Sequence, residues 1–440
     1  MVVSLEMKET GIEWIGKIPT HWKLMRFRYV CKVRKGLQIP QTERFWEPGQ
    51  NRLPYITIKY LNKENPDYVE YIENAQDRVI CNSDDVLLAR TGATGEVVTN
   101  QHGVFHNNFF LIDYDRKLLI KDYLVYYLLS PKLKEHIIFL AGTTTIPDLN
   151  HDEFLNVYVL LPPLHEQTTI SKYLNKERKR LLKLINNYLR LIRLLKEKRQ
   201  AIINQSVTKG LDPTVSMKDS EIEWIGYIPE HWKVKRLKFS AKIELSSVDR
   251  HEREGEEQVL VCHYPNIYKN EKITKNTLFT NGTCTLSELE KFRLKKDDVI
   301  ITKDSETADD IGVPALVIEN IERTVCGYHL AQITSNKKEI LGNFLFRFIQ
   351  TDISNACFEI SSHGITRFGL GKDSIGNLFI TQPSINEQKE ISEFLDSETF
   401  KIDSLIIKTK SQIGKLQEFR QSLISSVVTG KIDLREGIIV

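Results

Sequence analysis

Acidic and basic residues in the first half of the chain have the rough spacing of a metal-dependent nuclease. Pro147-Asp148 is followed by Glu177-Arg178-Lys179, and a site of this kind needs its acids and lysine to converge on one metal from positions on a sheet. Glu177 and Lys179 instead fall in a long helical segment, where residues two positions apart face different directions. The pattern favours a charged helix surface over a hydrolytic site.

The sequence NPDY at 65–68 resembles the Asn/Asp-Pro-Pro-aromatic loop with which DNA amino-methyltransferases hold a flipped base. Asp67 replaces the second proline of that loop. The nearest Gly-rich stretch, FGLGKD at 368–373, does not follow a predicted strand, which a cofactor loop requires. Both departures favour an ordinary turn.

The chain contains no HExxH, no GxxxxGK[ST] and no CxxC pair. Neither a zinc-dependent hydrolase nor an ATPase is therefore indicated. The six scattered cysteines are typical of thiols in a reducing cytoplasm. Net charge is only +3, no apolar run is long enough to cross a membrane, and we expect no secretory signal. The sequence thus lacks the common catalytic motifs, and we expect a cytoplasmic protein.

One phrase occurs twice, as EWIGKIPTHW at 13–22 and EWIGYIPEHW at 223–232. The duplication continues with DDVLLAR and DDVIITK, with LPPLHEQ and QPSINEQ, and with RQAIINQSVTKGLD and RQSLISSVVTGKID. From about residue 142 onward the two halves align at a constant offset of 221, whereas their middles have little in common. Repeats of a solenoid would match throughout, so shared ends with different middles predict two related modules that recognise different things.

Each middle has a mixed α/β pattern. In the first half, PYITIKYL, DVLLAR, EVVTN, FFLIDY and FLNVYVLL are predicted strands, and the segments at 122–140 and 344–360 have helical apolar spacing. We expect each opening phrase to form an entry strand, with its tryptophans buried against the sheet or the base of a long helix.

Heptad spacing closes each half. Leu174, Leu181, Tyr188, Leu195 and Ile202 recur every seven residues, as do Leu395, Ile402, Thr409, Leu416 and Leu423. Sustained heptads predict long helices that pack on each other. The first helix carries eleven basic residues and two acidic residues between 172 and 199, and the second carries seven acidic and six basic residues between 387 and 420. A basic helix beside one that bears acids favours pairing of the two helices.

The predicted fold is therefore α+β: two mixed α/β recognition domains joined by two long antiparallel coiled-coil helices in a pseudo-two-fold internal repeat. We predict four segments, comprising domain 1 at 1–163, helix 1 at 164–210, domain 2 at 211–383, and helix 2 with the C-terminal tail at 384–440.

The doubled motifs, taken in order, resemble the specificity subunits of type I restriction–modification enzymes over essentially the whole chain. The resemblance implies a non-catalytic subunit whose two target recognition domains each read half of a split double-stranded DNA sequence. It also implies docking of two adenine-methyltransferase subunits and, through them, of restriction subunits. S-adenosylmethionine, ATP and Mg²⁺ are then expected in those partners, and no cofactor or metal in this chain.

Base reading needs donors and acceptors at groove edges and cations for the phosphates. The candidates in domain 1 are Lys35, Arg90, Thr91, Gly92, Thr94, Asn107, Asn108, Thr143, Thr144 and Thr145. Those in domain 2 are His263, Tyr264, Lys303, Asp304, Ser305, Glu306, Thr307, His329, Thr366 and Arg367. For methyltransferase docking we single out the helix ends, with Arg199, Gln200, Ile203, Arg420, Gln421 and Ile424. Ordinary surface turns are the simpler interpretation of any one of these residues.

Two other functions remain open at this point. One is a stand-alone DNA methyltransferase or nuclease with duplicated binding domains, and the other is a coiled-coil scaffold with no nucleic-acid role. Methyl transfer by the isolated chain would identify the first, and failure to bind DNA would identify the second.

Overall fold

The computed structural model describes residues 6–61, 69–142, 147–249 and 251–435. The chain forms two units, which we call unit 1 (Met1–Tyr188 with Ser411–Val440) and unit 2 (Leu189–Lys410). Both long helices therefore contribute residues to both units. Across the described ranges, no helix combines the length and apolar character that a membrane crossing needs.

Unit 1 is built from short strands and helices followed by one long helix. Its strands are β1 Met7–Glu9, β2 Lys17–Pro19, β3 Lys23–Arg26, β4 Cys31–Lys35, β5 Arg52–Ile56, β6 Tyr71–Glu73, β7 Ile80–Cys81, β8 Val86–Ala89, β9 Val97–Thr99, β10 Gly103–Phe105, β11 Phe109–Tyr114 and β12 Tyr158–Leu161. Its helices are α1 Ile58–Leu61, α2 Lys121–Leu128, α3 Pro131–Leu140, α4 His151–Asn156 and the first part of α5 Leu164–Lys209.

Unit 2 repeats this order with some additions. Its strands are β13 Met217–Asp219, β14 Tyr227–Pro229, β15 Lys233–Arg236, β16 Ala241–Leu245, β17 Glu257–Cys262, β18 Lys272–Ile273, β19 Thr280–Cys284, β20 Val299–Thr302, β21 Asp304–Ser305, β22 Pro314–Val317, β23 Thr324–Cys326, β24 Leu330–Ser335, β25 Phe368–Gly369 and β26 Phe379–Gln382. Its helices are α6 Tyr264–Lys269, α7 Leu286–Phe292, α8 Gly342–Ile349, α9 Asp352–Ser361, α10 Lys372–Gly376 and the first part of α11 Ile385–Val428.

The two units share one strand framework. The ribbon β1–β2 pairs Met7 with Pro19, and β13–β14 pairs Met217 with Pro229 in the same register. The ribbon β3–β12 likewise corresponds to β15–β26. The central sheet has the order β4-β11-β8-β9 in unit 1 and β16-β24-β20-β22-β18 in unit 2. The repeat predicted from the sequence is therefore present in the fold.

Each central sheet is buried on both faces. Along β8, Val86 and Leu88 pack into the core that holds the helices, and Leu87 and Ala89 pack into a second core beneath the smaller sheet β6-β5-β10-β7. Alternation of side chains across a strand explains this division. The smaller sheet of unit 2 has a different order, β19-β17-β23, so the units differ in this layer, as the unmatched middles predicted.

The predicted long helices are confirmed, and they run antiparallel within each unit. In unit 1, Ile170 near the start of α5 shares a core with Val427 near the end of α11. In unit 2, Ile391 near the start of α11 shares a core with Ile203 near the end of α5. One ion pair along this contact joins Arg199 Nε to Asp403 Oδ1 at 3.1 Å. The buried positions of the first helix include the heptad residues Leu174 and Leu181.

Several element boundaries differ from the predictions. The predicted strand 54–61 ends at Ile56, and 154–161 is a strand only from Tyr158, because Asn150 and Glu153 form a capping box that begins α4 at His151. The predicted helices 122–140 and 344–360 are each two helices. Pro131 begins α3, and the Thr351 side chain caps α9.

An equivalent polar contact ties the long helix to each module, with different chemistry in each. In unit 1, Tyr126 Oη–H donates to Asn175 Oδ1 at 2.7 Å. At the equivalent positions in unit 2, Arg347 Nη2 donates to Asp396 Oδ1 at 2.6 Å, and the Arg347 side chain is only 2% exposed. Unit 2 therefore has an ion pair with a buried arginine where unit 1 has a neutral hydrogen bond.

Candidate nucleic-acid interface

The end of the first opening phrase holds the start of helix α5. Trp22 is buried, and its indole Nε1–H donates to Glu166 Oε2 at 2.8 Å. His21 Nε2 lies 2.7 Å from the other carboxylate oxygen of Glu166. Because Glu166 lies in the first turn of α5, it also complements the positive end of the helix dipole. The repeated His-Trp pair is thus a clamp on the helix base.

The second copy forms the same clamp. His231 Nε2 lies 2.7 Å from Glu387 Oε1, and Trp232 Nε1–H donates to the same oxygen at 3.1 Å. Ser384 donates to Glu387 Oε2 through its backbone N–H and its hydroxyl. Burial raises the pKa of Glu387, but the hydrogen bonds from His231, Ser384 and Trp232 outweigh it and lower the pKa to about 2.

Replacing Glu387 with alanine is expected to destabilise unit 2 by about 1–3 kcal/mol, because the buried Trp232 indole loses its acceptor. The folded pKa lies below the ordinary value of 4.5. The stabilisation by the charge is therefore present above about pH 4.5 and is lost as the pH falls toward 2. Urea unfolding of the wild type and Glu387→Ala at pH 7 measures the loss of the acceptor. Comparing the wild type with Glu387→Gln at pH 7 and pH 3 isolates the charge, and the difference in their unfolding free energies should shrink at pH 3. An equal gap at both values would contradict the assignment.

The glutamine after each clamp glutamate closes the turn that precedes the helix. Gln167 Nε2 donates to Leu118 O and Pro162 O, and Gln167 Oε1 accepts from Ile120 N–H. Gln388 makes the three equivalent bonds in unit 2. The repeated Glu-Gln pair at the two helix entries therefore has a structural role in both units.

Each clamp also receives the end of the other long helix. Gly430 follows α11 with φ +70°, and a Cβ at this position would lie 2.5 Å from Pro19. Gly210 follows α5 with φ +77°, and a Cβ there would lie 3.3 Å from the Trp232 ring. Both helix ends therefore require glycine for conformation and, at Gly430, for space.

The prediction that the phrase tryptophans are buried holds for Trp22 and Trp232 but is wrong for Trp224, which is 53% exposed. In unit 1 the equivalent Trp14 stacks on His136 at a centroid distance of 5.1 Å. Cys357 occupies the position equivalent to His136 in unit 2 and has no ring on which an indole can stack.

The domain 1 candidates gather around the ends of β8 and β11. Arg90 N–H donates to Asn108 O at 2.7 Å, and Thr94 Oγ1–H donates to Arg90 O at 3.1 Å. Lys35 Nζ and the Arg90 guanidinium both lie over the Phe110 ring, at 6.0 and 5.5 Å from its centroid. The structure thus brings together Lys35, Arg90, Thr91, Gly92, Thr94, Asn107 and Asn108 as one surface, which we call the Arg90 surface.

Arg90 itself is turned toward the protein. Its Nη2 donates to Asp148 Oδ2 at 2.7 Å, and its side chain is 12% exposed. Thr94 also donates to Pro147 O at 3.0 Å. Together, the Arg90 and Thr94 contacts hold the 90–95 loop against residues 147–149. Thr143, Thr144, Thr145 and the NPDY sequence lie outside the described residues.

The domain 2 candidates surround two adjoining hollows. The large hollow, of about 870 Å³, is lined by His263, Tyr264, His329 and Arg367 among others. The small hollow, of about 370 Å³, shares Tyr264, His329 and Arg367 and adds Asp304, Ser305, Glu306 and Thr307. Of the remaining candidates, Lys303 lies beneath the Tyr328 ring at 4.5 Å, and Thr366 is exposed beside Arg367.

Asp304 organises the charged groups between the hollows. Its Oδ2 accepts from Lys303 Nζ at 3.0 Å and lies 2.9 Å from His329 Nδ1. Tyr264, half exposed, meets His329 edge to face. This arrangement leaves ring faces and imidazole and guanidinium groups on the surface of unit 2, whereas the Arg90 surface offers hydroxyls and amides.

The six residues predicted to dock a partner fall into two groups. In unit 2, Ile203 is fully buried, Gln200 Nε2 donates to Gln350 O, and Arg199 pairs with Asp403 and Glu271. In unit 1, Arg420, Gln421 and Ile424 line a cleft of about 730 Å³ together with residues of α2, α3 and α5. This second group lies beside an open cleft, whereas Ile203 of the first group is buried.

Sequence reasoning missed residues that shape the large hollow. Asn266 is buried, accepts from His263 N–H and donates to Leu278 O, so it ties two loops together. Lys269, Asn270, Asn276, Thr277 and Leu278 line the same hollow. The lysine-rich run YKNEKITKN at 268–276 was the available signal.

The nuclease-like acids have other partners. Asp148 accepts from Arg90, and Glu177 lies on α5 with its carboxylate 3.6 Å from Arg180. Within the described part of the chain, no group of three metal-binding side chains was found. Glu177 lies on α5 as predicted, but its side chain is only 13% exposed and lines the cleft between α5 and helices α2 and α3.

The chain is similar to known proteins along nearly its whole length. The profile of the family described as type I restriction modification DNA specificity domain matches residues 19–192 and 229–414. The MjaVIII specificity subunit of a type I restriction enzyme from Methanocaldococcus jannaschii is 24% identical over 432 residues, covering 95% of each chain. The EcoKI specificity subunit from Escherichia coli is 18% identical, over 95% of this chain and 90% of that one.

Solved structures share the fold. A chain from work on complex assembly and conformational transition of the type I R-M system superposes with a TM-score of 0.70 at 15% identity, covering 94% of this chain and 99% of that one. The HsdS subunit from Thermoanaerobacter tengcongensis gives a TM-score of 0.51 at 15% identity, over 94% and 98%. Since the family profile matches both halves, this chain belongs to the family of type I restriction–modification specificity subunits, which are non-catalytic targeting subunits with DNA recognition domains.

Proposed function

We propose that this protein directs adenine methylation to a DNA target in two parts, with each unit contacting one part. The strongest support is that the residues shared by the two halves and the residues that differ between them have separate places in the structure. Residues shared by the two halves, such as Trp22 and Trp232 with their glutamates, hold the framework. Residues that differ line the Arg90 surface and the two hollows. Different surfaces on one framework suit two different half-sites.

We further propose that two methyltransferase subunits dock on the helix ends, with the cleft at Arg420, Gln421 and Ile424 as one contact. Ile203 has no exposed surface and is left out of this proposal. The partners would supply S-adenosylmethionine chemistry, and restriction subunits, joined through them, would supply ATP- and Mg²⁺-dependent steps. Because the ligand is DNA, the proposed place of action is the cytoplasm.

Methyl transfer from labelled S-adenosylmethionine to mixed-sequence DNA tests this function. We expect transfer when the chain is co-expressed with its methyltransferase, and none with either protein alone. Transfer by the isolated chain would support a stand-alone enzyme and overturn the proposal. Failure of the joint complex to protect any DNA from nuclease digestion would support the scaffold interpretation.

A further inference from the structure

Two aliphatic side chains beside the large hollow are almost fully exposed. Ile365 is 95% exposed and Leu278 is 91% exposed. Leu278 lines the hollow directly, and Ile365 lies two residues before Arg367, which also lines it. A single exposed leucine needs no explanation. Two such side chains on the loops of one candidate interface are a more specific observation.

Both side chains are carried by loops that are held by hydrogen bonds. His363 and Gly369 exchange two backbone hydrogen bonds of 3.1 and 2.9 Å, which close the loop that carries Ile365. Gly364 within it has φ +145°, and a Cβ there would lie 1.9 Å from Arg367 O. The loop is therefore tight and depends on glycine. Because its backbone is already held in place, the loop should lose little conformational entropy when Ile365 contacts a ligand.

Leu278 is held in a comparable way. The buried Asn266 donates its Nδ2–H to Leu278 O at 2.7 Å, and Thr277 N–H donates to Thr274 O at 3.0 Å. The backbone of Leu278 is thus fixed, and its side chain points away from the core.

Exposed cations lie on or beside both loops. Lys269, Lys275 and Arg367 are exposed, and such groups bind phosphates and position a protein on DNA without reading its sequence. An aliphatic side chain brought to the major groove meets one apolar group on the base edges, the 5-methyl of thymine. The surroundings therefore favour DNA as the ligand, and the chemistry of the side chains favours thymine.

We propose that Leu278 and Ile365 are specificity-determining residues of unit 2 that contact thymine 5-methyl groups in its half-site. This inference rests on the proposed DNA-reading function. It goes further by naming the chemical group that is recognised and the side chains that recognise it.

The test uses the full chain co-expressed with its methyltransferase and a duplex containing the motif that the complex methylates in cells. Each thymine of the unit 2 half-site is replaced in turn by deoxyuridine, which removes only the methyl group. At a contacted position we expect wild-type affinity to fall about fourfold, the effect of one buried methyl-sized group. Ile365→Ala or Leu278→Ala should weaken binding to the thymine duplex similarly and should no longer respond to that deoxyuridine.

Ile360→Ala provides the matched control, because Ile360 is also exposed (83%) in unit 2 but lines a different hollow beside Trp224. It should bind as the wild type does. Wild-type affinity that is unchanged by every deoxyuridine, or alanine variants that keep the full response at every position, would overturn this inference alone. A complex that binds no specific duplex would overturn the proposed function instead.

Discussion

Inserting four residues into both long helices, after Tyr188 and after Lys410, is expected to change the spacer between the two DNA half-sites without changing either half-site. These points are the boundaries at which α5 and α11 leave one unit and enter the other. Four residues add about 6 Å to a helix, and a heptad pair absorbs such an insertion by local unwinding. At about 3.4 Å per base pair, the spacer should grow by one or two base pairs.

The effect on the original site should be large. With the old spacer only one half-site can be engaged at a time, and each lost base pair removes about 1–3 kcal/mol of specific binding. Affinity for the original duplex should therefore fall on the order of 100-fold or more. Motif sequencing of methylated DNA reads the new spacer directly. The same four residues placed after Pro213, in the exposed segment beyond α5, form the control, and an unchanged spacer in the helix variant would show that the helices do not set it.

Replacing Arg347 with tyrosine should destabilise unit 2 by about 3 kcal/mol, because Asp396 would keep a partly buried charge without its main partner. Burial raises the pKa of Asp396, and the contacts with Arg347 outweigh it and keep the pKa below its usual value. Hydrogen exchange of the α8 segment and urea unfolding of the whole chain measure the loss. Two measurements are needed since a chain of two units need not unfold in one step.

Unit 1 provides the matched rescue for this variant. Tyr126 and Asn175 occupy the equivalent positions there, so Arg347→Tyr combined with Asp396→Asn transplants a pair that the same framework already accommodates. The double variant should recover most of the lost stability, because the partly buried charge of Asp396 is removed together with its main partner, and Lys272, which also contacts Asp396, is exposed enough to be solvated by water. A double variant as unstable as Arg347→Tyr alone would show that the arginine stabilises unit 2 by packing and not by its ion pair.

The framework could be predicted because its determinants are local and occur twice. The heptads, the capping residues and the glycines at 210 and 430 lie within a few residues of the elements they define. Where two signals competed locally, the prediction was less accurate. The capping box at Asn150 turned part of a predicted strand into α4.

The candidate surfaces could be predicted only as sets of residues. The inward orientation of Arg90 depends on Asp148, which lies 58 positions along the chain, and no local pattern signals such a pairing. Trp224 is exposed, whereas its equivalent Trp14 stacks on His136 of a helix far along the chain, a position held by Cys357 in unit 2. Contacts of this kind follow from tertiary packing and become visible only in the fold.

The most direct test of this account is methylome sequencing of cells that express this chain together with its cognate methyltransferase. We predict one motif made of two different half-sites separated by bases of any identity. Ile365→Ala should relax one half-site and leave the other unchanged. A continuous or palindromic motif, or the same methylation in cells that lack this chain, would contradict the claim that two unlike readers on one polypeptide choose the target.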